Sequence, residues 1–262
     1  MDAIYWLRKL TGGATLIAGI ALPFAAQAQI SADVKACGEL KGEPALQACT
    51  RVIDSKDAKV KMEHAYFNRG VEWASQSKYD NAIEDYTAVL KINPKSREAY
   101  NNRGNAHRRK GNHALAIADY SEAIKLSPTR GMYYRNRGTV LQDRRECAKA
   151  LADYEEAVKI DAKDASALDS AAWIMSTTPD TKVRNGKRAV EWATKACELT
   201  QWKNATYIDT LAAAHAEDGD FAQAVRRQEE ALAYPEFDKT DGKNARSRLK
   251  LYKSKKAVRL KA

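Results

Sequence analysis

The stretches FNRG (67–70), NNRG (101–104) and RNRG (135–138) share the triplet NRG, and the three copies lie 34 residues apart. Other residue types return at the same step. A tyrosine stands two residues before each asparagine, an alanine follows each glycine after twelve residues, and a second tyrosine comes four residues later. These series are Tyr66, Tyr100 and Tyr134, then Ala82, Ala116 and Ala150, then Tyr86, Tyr120 and Tyr154. The period therefore predicts a repeated structural unit.

Spacing and residue type within one copy predict a pair of helices. Ala82, Tyr86 and Val89 recur at the interval that places side chains on one face of a helix. Glycine and alanine leave room where two antiparallel helices cross closely, and the aromatic rings fill the space beside them. Pro94 and Pro128 would end the second helix of the first two copies, because proline cannot continue a helix.

The order of an aromatic residue, glycine, alanine, an aromatic residue and proline resembles the tetratricopeptide repeat. The resemblance implies an all-α fold, a right-handed α-solenoid of antiparallel helix pairs with about five repeats and a C-terminal capping helix. Its last two repeats are less regular and similar to a variant of exported bacterial proteins. The expected divisions are a signal peptide (1–28), a disulfide-stapled helical hairpin (29–60), three regular repeats (61–164), two variant repeats (165–236) and a basic capping helix or tail (237–262).

The first 28 residues are typical of a cleavable export signal. Arg8 and Lys9 precede an apolar run, and Ala26 and Ala28 supply small residues for cleavage after Ala28. The run is too short, and too interrupted by glycine and proline, for a transmembrane helix. We expect a mature chain without a transmembrane segment that begins at Gln29 and works in the periplasm or as a secreted protein. An uncleaved anchor is the alternative.

The four cysteines fall into two pairs with different expectations. Cys37 and Cys49 flank a turn near Gly42, so that they would face each other on an antiparallel helix pair. An exported chain can keep such a bond, and we predict a structural disulfide that staples the terminal hairpin. Cys147 and Cys197 would lie about 16 Å apart along neighbouring second helices, which favours no bond between them.

No catalytic or metal-binding pattern accompanies the repeats. The motifs of zinc proteases, serine hydrolases, phosphate-binding loops and dinucleotide-binding folds do not occur, and the four histidines are scattered. His107 and His215 take a repeat position that packs between helices, so a buried or half-buried histidine is the favoured interpretation. We therefore predict no enzyme, no cofactor and no metal, with an unrecognised active site as the weakest alternative.

The resemblance also implies where a ligand would bind. The first helices of stacked tetratricopeptide repeats line a concave groove, and the register predicts which side chains face it. These candidate groove residues are Asn68, Asn101, Asn102, Asn105, Arg108, Arg109, Arg135, Asn136, Asp169 and Trp173. Asparagine amides can pair with the backbone of an extended peptide, and the arginines would attract carboxylates. Asp169 and Asp209 would make the far part of the groove acidic.

Two details of the groove allow alternatives. Asn68, Asn102 and Asn136 form a predicted ladder, but an asparagine there could instead bond a neighbouring helix and set the repeat spacing. The arginine of each NRG triplet is expected beside the helix interface, with its stem buried and its charged head free. The Lys/Asn/Arg clamp of some related proteins is not expected, because Phe67 and Val71 occupy clamp positions.

The net charge of +10 lies mostly in the tail, where residues 243–262 hold nine Lys/Arg and no Asp/Glu. This tail would cap the last repeat, with Leu249, Tyr252 and Val258 packed against it, and could also contact anionic surfaces. We expect a scaffold that binds protein or peptide partners in its concave groove. The alternative is a cell-envelope component held at anionic surfaces by the tail. Nucleic acid is not expected as a partner of an exported chain.

Overall fold

The computed structural model describes residues 24–56 and 62–260. Within these residues the chain forms thirteen α-helices and no strand. The helices are α1 (Phe24–Glu39), α2 (Glu43–Asp54), α3 (Met62–Ser75), α4 (Tyr79–Ile92), α5 (Arg97–Arg109), α6 (His113–Leu126), α7 (Gly131–Asp143), α8 (Cys147–Ile160), α9 (Ala165–Thr177), α10 (Gly186–Leu199), α11 (Ala205–Asp218), α12 (Phe221–Leu232) and α13 (Pro235–Lys253).

Consecutive helices pack against each other in pairs, and each pair packs against the next. The pairs α3/α4, α5/α6 and α7/α8 carry the three NRG triplets, and α9/α10 and α11/α12 follow them. The hairpin α1/α2 precedes the first pair, and α13 packs on α12 and α11. This order of contacts is the all-α solenoid of helix pairs that the repeat predicts.

The glycine of each NRG triplet lies where the two helices of its repeat cross. A Cβ atom built on Gly104 would lie 2.9 Å from the Tyr120 ring, which is closer than real Cβ contacts. Gly70 and Gly138 approach Tyr86 and Tyr154 in the same way. All three tyrosines are fully buried, so the ring fills the space that the missing side chain leaves. The glycine and the tyrosine are therefore one packing unit.

The disulfide predicted for the N-terminal hairpin is confirmed. Cys37 of α1 and Cys49 of α2 are bonded, with their Cα atoms 4.7 Å apart. Gly42 makes the turn between the two helices at φ 70°, a left-handed conformation that glycine adopts readily. Cys147 and Cys197 are not bonded to each other, as the spacing favours.

The helix α13 closes the C-terminal end of the stack. Tyr252 is fully buried against Ala212, Ala216 and Ala224, and Leu251 and Val258 pack on the same cluster. Among the described residues, no helix combines the length and apolar character that a bilayer crossing demands. Residues 1–23 of the predicted export signal lie outside the described residues, and the signal therefore stays a prediction.

Candidate functional site

The arginines of the NRG triplets are held in ion pairs, so the prediction of a free guanidinium is wrong. Arg103 donates from Nε and Nη2 to the two carboxylate oxygens of Asp119, at 3.0 and 2.7 Å. Its Nη1 donates to the hydroxyl of Thr87 on the preceding repeat, at 3.0 Å. Arg69 binds Asp85 and Arg137 binds Asp153 in the same two-point manner.

These ion pairs join helices, which explains their position in the repeat. The carboxylate comes from the second helix of the same repeat, whereas the hydroxyl comes from the second helix before it. The Asp119 side chain is 7% exposed and that of Arg103 is 21% exposed. Burial raises the pKa of the equivalent Asp85 carboxyl, and the hydrogen bonds from Arg69 oppose that rise. NRG is therefore a structural element of the solenoid.

Two of the predicted groove asparagines bond each other across neighbouring repeats. The Asn136 amide donates to Oδ1 of Asn101 at 2.9 Å, and the Asn101 amide donates to Oδ1 of Asn102 at 3.1 Å. Asn101 is buried. Asn68 lies near Gly38 of α1. The Asn101–Asn136 bond thus takes the alternative role of linking neighbouring first helices, and Asn102 and Asn136 are half-buried.

Buried tyrosines use further polar side chains of the concave face. The Tyr120 hydroxyl donates to Oδ1 of Asn105 at 2.8 Å, and the Tyr154 hydroxyl donates to Oε1 of Gln142 at 2.8 Å. Burial raises the pKa of Tyr154 to about 12, so this hydroxyl stays a donor near neutral pH. The concave ends of Asn105 and Gln142 are thereby held in fixed orientations.

The three predicted groove arginines have different environments. Arg135 is paired with Asp164, the residue that caps α9, at 2.8 Å. Arg108 is half-buried and Arg109 is exposed, and neither makes an ion pair within the described part of the chain. Burial raises the pKa of Tyr120 and Tyr154, and the charge of Arg108 opposes the rise in both. Arg108 is thus an uncompensated cation near the tyrosine hydroxyls of two repeats.

The concave face of the regular repeats also exposes apolar side chains. Val71 on α3 and Met132 on α7 are 43% and 45% exposed. His107, by contrast, lies among the packed helices, and burial lowers its pKa, as it lowers that of His215. This agrees with the interpretation of both histidines as packing residues. The open surface from α3 to α7 therefore combines amide, guanidinium and apolar groups.

The predicted acidic part of the groove is covered by the C-terminal segment. Arg248 of α13 pairs with Asp209 at 2.9 Å, and its guanidinium lies over the Trp173 ring at 5.7 Å from the centroid. The Oδ1 atom of Asp169 is buried without a hydrogen-bond partner. Burial raises the Asp169 pKa to about 7, opposed by a hydrogen bond with Thr210. Arg248 therefore covers part of Trp173 and Asp209, and the placement of Asp169 and Trp173 in a ligand groove stays a prediction.

The sequence alone did not identify the side chains that pair with these arginines and carboxylates. Asp85, Asp119 and Asp153 stand one residue before each repeat tyrosine, so the 34-residue step contained a signal for the ion pairs. No comparable pattern marks Arg248 as the partner of Asp209. Among residues 24–56 and 62–260, no group of three or more His, Cys, Asp or Glu could hold a metal ion.

Comparisons with known proteins agree with this geometry. Residues 68–130 match the tetratricopeptide repeat family. The solved structures with the same fold include MamA, which is 20% identical, covers 69% of this chain and 94% of its own, and has a TM-score of 0.56. A comparison with curated protein sequences finds no match.

Two further structures support the same fold. YrrB, described as a TPR protein with an unusual peptide-binding site, is 18% identical and covers 72% of this chain and 93% of its own, with a TM-score of 0.59. MamA from Desulfovibrio magneticus RS-1 is 17% identical and covers 70% of this chain and 99% of its own, with a TM-score of 0.58. With the helix pairs and the NRG contacts described above, these findings show a tetratricopeptide-repeat match at residues 68–130 and the same all-α solenoid fold over most of the chain.

Proposed function

We propose that this protein is a scaffold that binds an extended segment of a partner protein on the concave face of α3, α5 and α7. The observation that carries the proposal is Arg108, a half-buried cation without an ion pair among the described residues. Removing a guanidinium from water costs free energy unless an acidic group compensates it. A carboxylate from a ligand would supply that compensation through charge-assisted hydrogen bonds.

The surroundings of Arg108 favour a peptide over a small metabolite. Asn105 and Gln142 present amide groups that the buried tyrosines hold in place, which suits main-chain recognition. Val71 and Met132 add exposed apolar surface on the helices to either side. We infer a ligand segment that carries an acidic residue between apolar ones. YrrB, which has the same fold, is described by its peptide-binding site.

We place this function outside the cytoplasm. The predicted export signal supports this location, and so does the Cys37–Cys49 disulfide, because structural disulfides persist mainly in oxidising compartments. The test is cleavage of the full-length precursor in cells. A mature protein that begins at Gln29 and is recovered with the periplasmic fraction is the expected result, and an uncleaved protein retained in the cytoplasm would contradict it.

Association with an anionic surface is the second candidate function. Lys239, Lys243 and Lys250 recur at helical intervals on an exposed flank of α13, and Lys255 and Lys256 follow the helix. None of the five makes an ion pair within the described residues. Binding to vesicles that contain anionic lipid, and its loss at high salt, would favour this function.

Affinity capture with matched charge variants tests the groove. The baits are the mature chain, Arg108→Glu and, as control, Arg226→Glu, which reverses an exposed arginine of α12. We expect a partner in the envelope extract to bind the mature chain and the control but not Arg108→Glu, because reversed charge repels its carboxylate. Identical protein sets on all three baits would contradict the proposal. Thermal melting of each variant verifies that the fold is intact.

A further inference from the structure

The C-terminal ends of α9 and α11 carry an occupant from the chain itself. After α13 the chain continues as residues 254–260 and runs back over the ends of α11 and α9. The Leu260 N–H donates to the carbonyl oxygen of Thr177 at 2.8 Å. Arg259 donates from Nη1 to the Ser176 carbonyl at 3.2 Å and pairs through Nη2 with Glu217 at 2.5 Å.

This segment binds in the way that an extended peptide binds a groove. Main-chain pairing comes from Leu260, while Val258 packs on the cluster around Ala212 and Tyr252. Such ligands combine main-chain hydrogen bonds for affinity with alternate side chains for specificity. The segment also accounts for a difference in burial between repeats. Residues 176–178 at the end of α9 are buried, whereas residues 109 and 110 at the end of α5 are exposed.

The receiving surface is acidic and the segment is basic. Glu217 binds both Arg259 and Arg184, and Asp209 binds Arg248. Residues 255, 256 and 259 are themselves exposed, so the segment lies on the surface rather than in the core. Segments with few buried apolar contacts open at low free-energy cost. The attachment of this segment is therefore weaker than the packing of α13, whose Tyr252 is fully buried.

A cleft begins where the segment ends. It has a volume of about 670 Å³ and is lined by Leu260, Trp173 and Pro179 together with residues 142, 143 and 145–149. Asp143 and Asp180 add exposed carboxylates to its rim, and Arg145 and Lys149 add exposed cations. The apolar wall suits an aliphatic side chain. The preference for a cationic residue comes from Glu217, which pairs with Arg259.

We propose that the C-terminal ends of α9 and α11, with the adjoining cleft, form a second peptide-binding surface. Its ligand is an extended protein segment in which a cationic residue precedes an aliphatic one, and residues 257–260 occupy the surface until such a segment displaces them. The surface adjoins the face of α3, α5 and α7 at Gln142, which lines the cleft, but its ligand has the opposite charge. The inference goes beyond the proposed function and does not depend on it.

The test uses the mature chain and a fluorescent peptide with the sequence of residues 255–262, KKAVRLKA. The variant Arg259→Glu places a negative charge against Glu217 and releases the chain's own segment. We expect this variant to bind the peptide roughly tenfold more tightly than the unchanged protein, in which the attached segment competes. Arg226→Glu, an exposed change of equal charge on α12, is the control and should behave as the unchanged protein.

Two further variants define the site and keep the test independent of one substitution. Leu260→Pro removes the N–H that pairs with Thr177 and should also admit the peptide. Adding Glu217→Gln to Arg259→Glu should weaken peptide binding roughly tenfold, because the cationic residue loses its charged partner. A peptide with glutamate in place of its arginine should not bind.

Several outcomes would overturn the inference. One is equal peptide binding by the unchanged protein, Arg259→Glu and Leu260→Pro. Another is no peptide binding by any of the three. A third is peptide binding to Arg259→Glu that does not weaken when Glu217→Gln is added. If light scattering shows that Arg259→Glu forms a dimer at high concentration, the ligand of this surface is the tail of a second copy of this chain and not a partner protein. Arg108→Glu should leave peptide binding unchanged, so that failure here and failure of the proposed function can be told apart.

Discussion

The three regular repeats and the two variant repeats share a fold but hold their helix pairs together differently. In the regular repeats, a glycine faces a buried tyrosine, and an arginine joins two helices through an aspartate. In the variant repeats, the corresponding glycine positions are Ala172 and Ala212, and the tyrosine positions are Ala193 and Gln228. The polar link there runs from Gln228 through Asp209 to Arg248 of α13.

This difference shows why one half of the concave face is open and the other is covered. Each regular repeat finds its ion-pair partner within itself and a hydroxyl acceptor in the preceding second helix. The last repeat finds its cation in α13, so the C-terminal segment must cross the concave side to supply it. A solenoid needs a cap on its terminal repeat, and in this protein the cap also fills the end of the groove.

The largest effect is expected from breaking the ion pair of a regular repeat. Arg103→Ala leaves the buried Asp119 carboxylate without its partner and should lower the free energy of unfolding by about 3–5 kcal/mol. Urea denaturation of the mature chain measures this loss. Lys125→Ala, which removes an exposed pair with Glu122, is the control and should cost less than about 0.5 kcal/mol. If Arg103→Ala and Lys125→Ala lower the free energy of unfolding equally little, the glycine–tyrosine contact alone holds the helix pair together.

A smaller effect is expected at the buried carboxylate of the variant repeats. Because burial raises the folded-state pKa of Asp169 to about 7, its contribution to stability is present below the ordinary pKa of 3.8 and is lost as pH rises towards 7. Asp169→Asn removes this loss and should make the protein more stable than the unchanged chain at pH 8, by on the order of 2 kcal/mol. Urea denaturation at a series of pH values measures the difference.

The pH series has its own control. Asp143→Asn changes an exposed aspartate and should give a difference from the unchanged chain that does not vary with pH. If the Asp169→Asn difference is also flat from pH 4 to 8, the Asp169 carboxylate is hydrated in solution. The contrast between a covered variant half and an open regular half would then be wrong.

The smallest effect is expected at a glycine of a regular repeat. The Cβ atom of Gly104→Ala would meet the Tyr120 ring at 2.9 Å, and the ring must shift within a packed core. Overpacking costs about 1–3 kcal/mol, offset by about 1 kcal/mol of improved helix propensity, so we expect a net loss of about 1 kcal/mol. Thermal melting compares it with Gly38→Ala, whose nearest contact is 3.8 Å and which should not destabilise. If Gly104→Ala is more stable than the unchanged chain, the Tyr120 ring can move aside without a cost in packing.

Much of the fold could be predicted because its contacts are local and periodic. The 34-residue step predicts the regular helix pairs, and the spacing of Cys37 and Cys49 around a turn predicts their bond. The candidate site was less predictable. Asparagines suited to a ligand are equally suited to a neighbouring helix, and Asn101 and Asn136 bond each other. Residue type and register alone do not distinguish these uses.

The sequence by itself determined that the chain forms helix pairs and that three of them follow the 34-residue repeat. It also determined the terminal disulfide and a basic capping segment. These features depend on hydrogen bonds four residues apart and on contacts between adjacent repeats, which a periodic sequence specifies. Only the tertiary structure decided that the NRG arginines are paired and that residues 257–260 lie on the last two repeats. Leu260 meets Thr177 across 83 residues of chain. No periodicity records such a contact, because it depends on where the stacked helices place two distant segments.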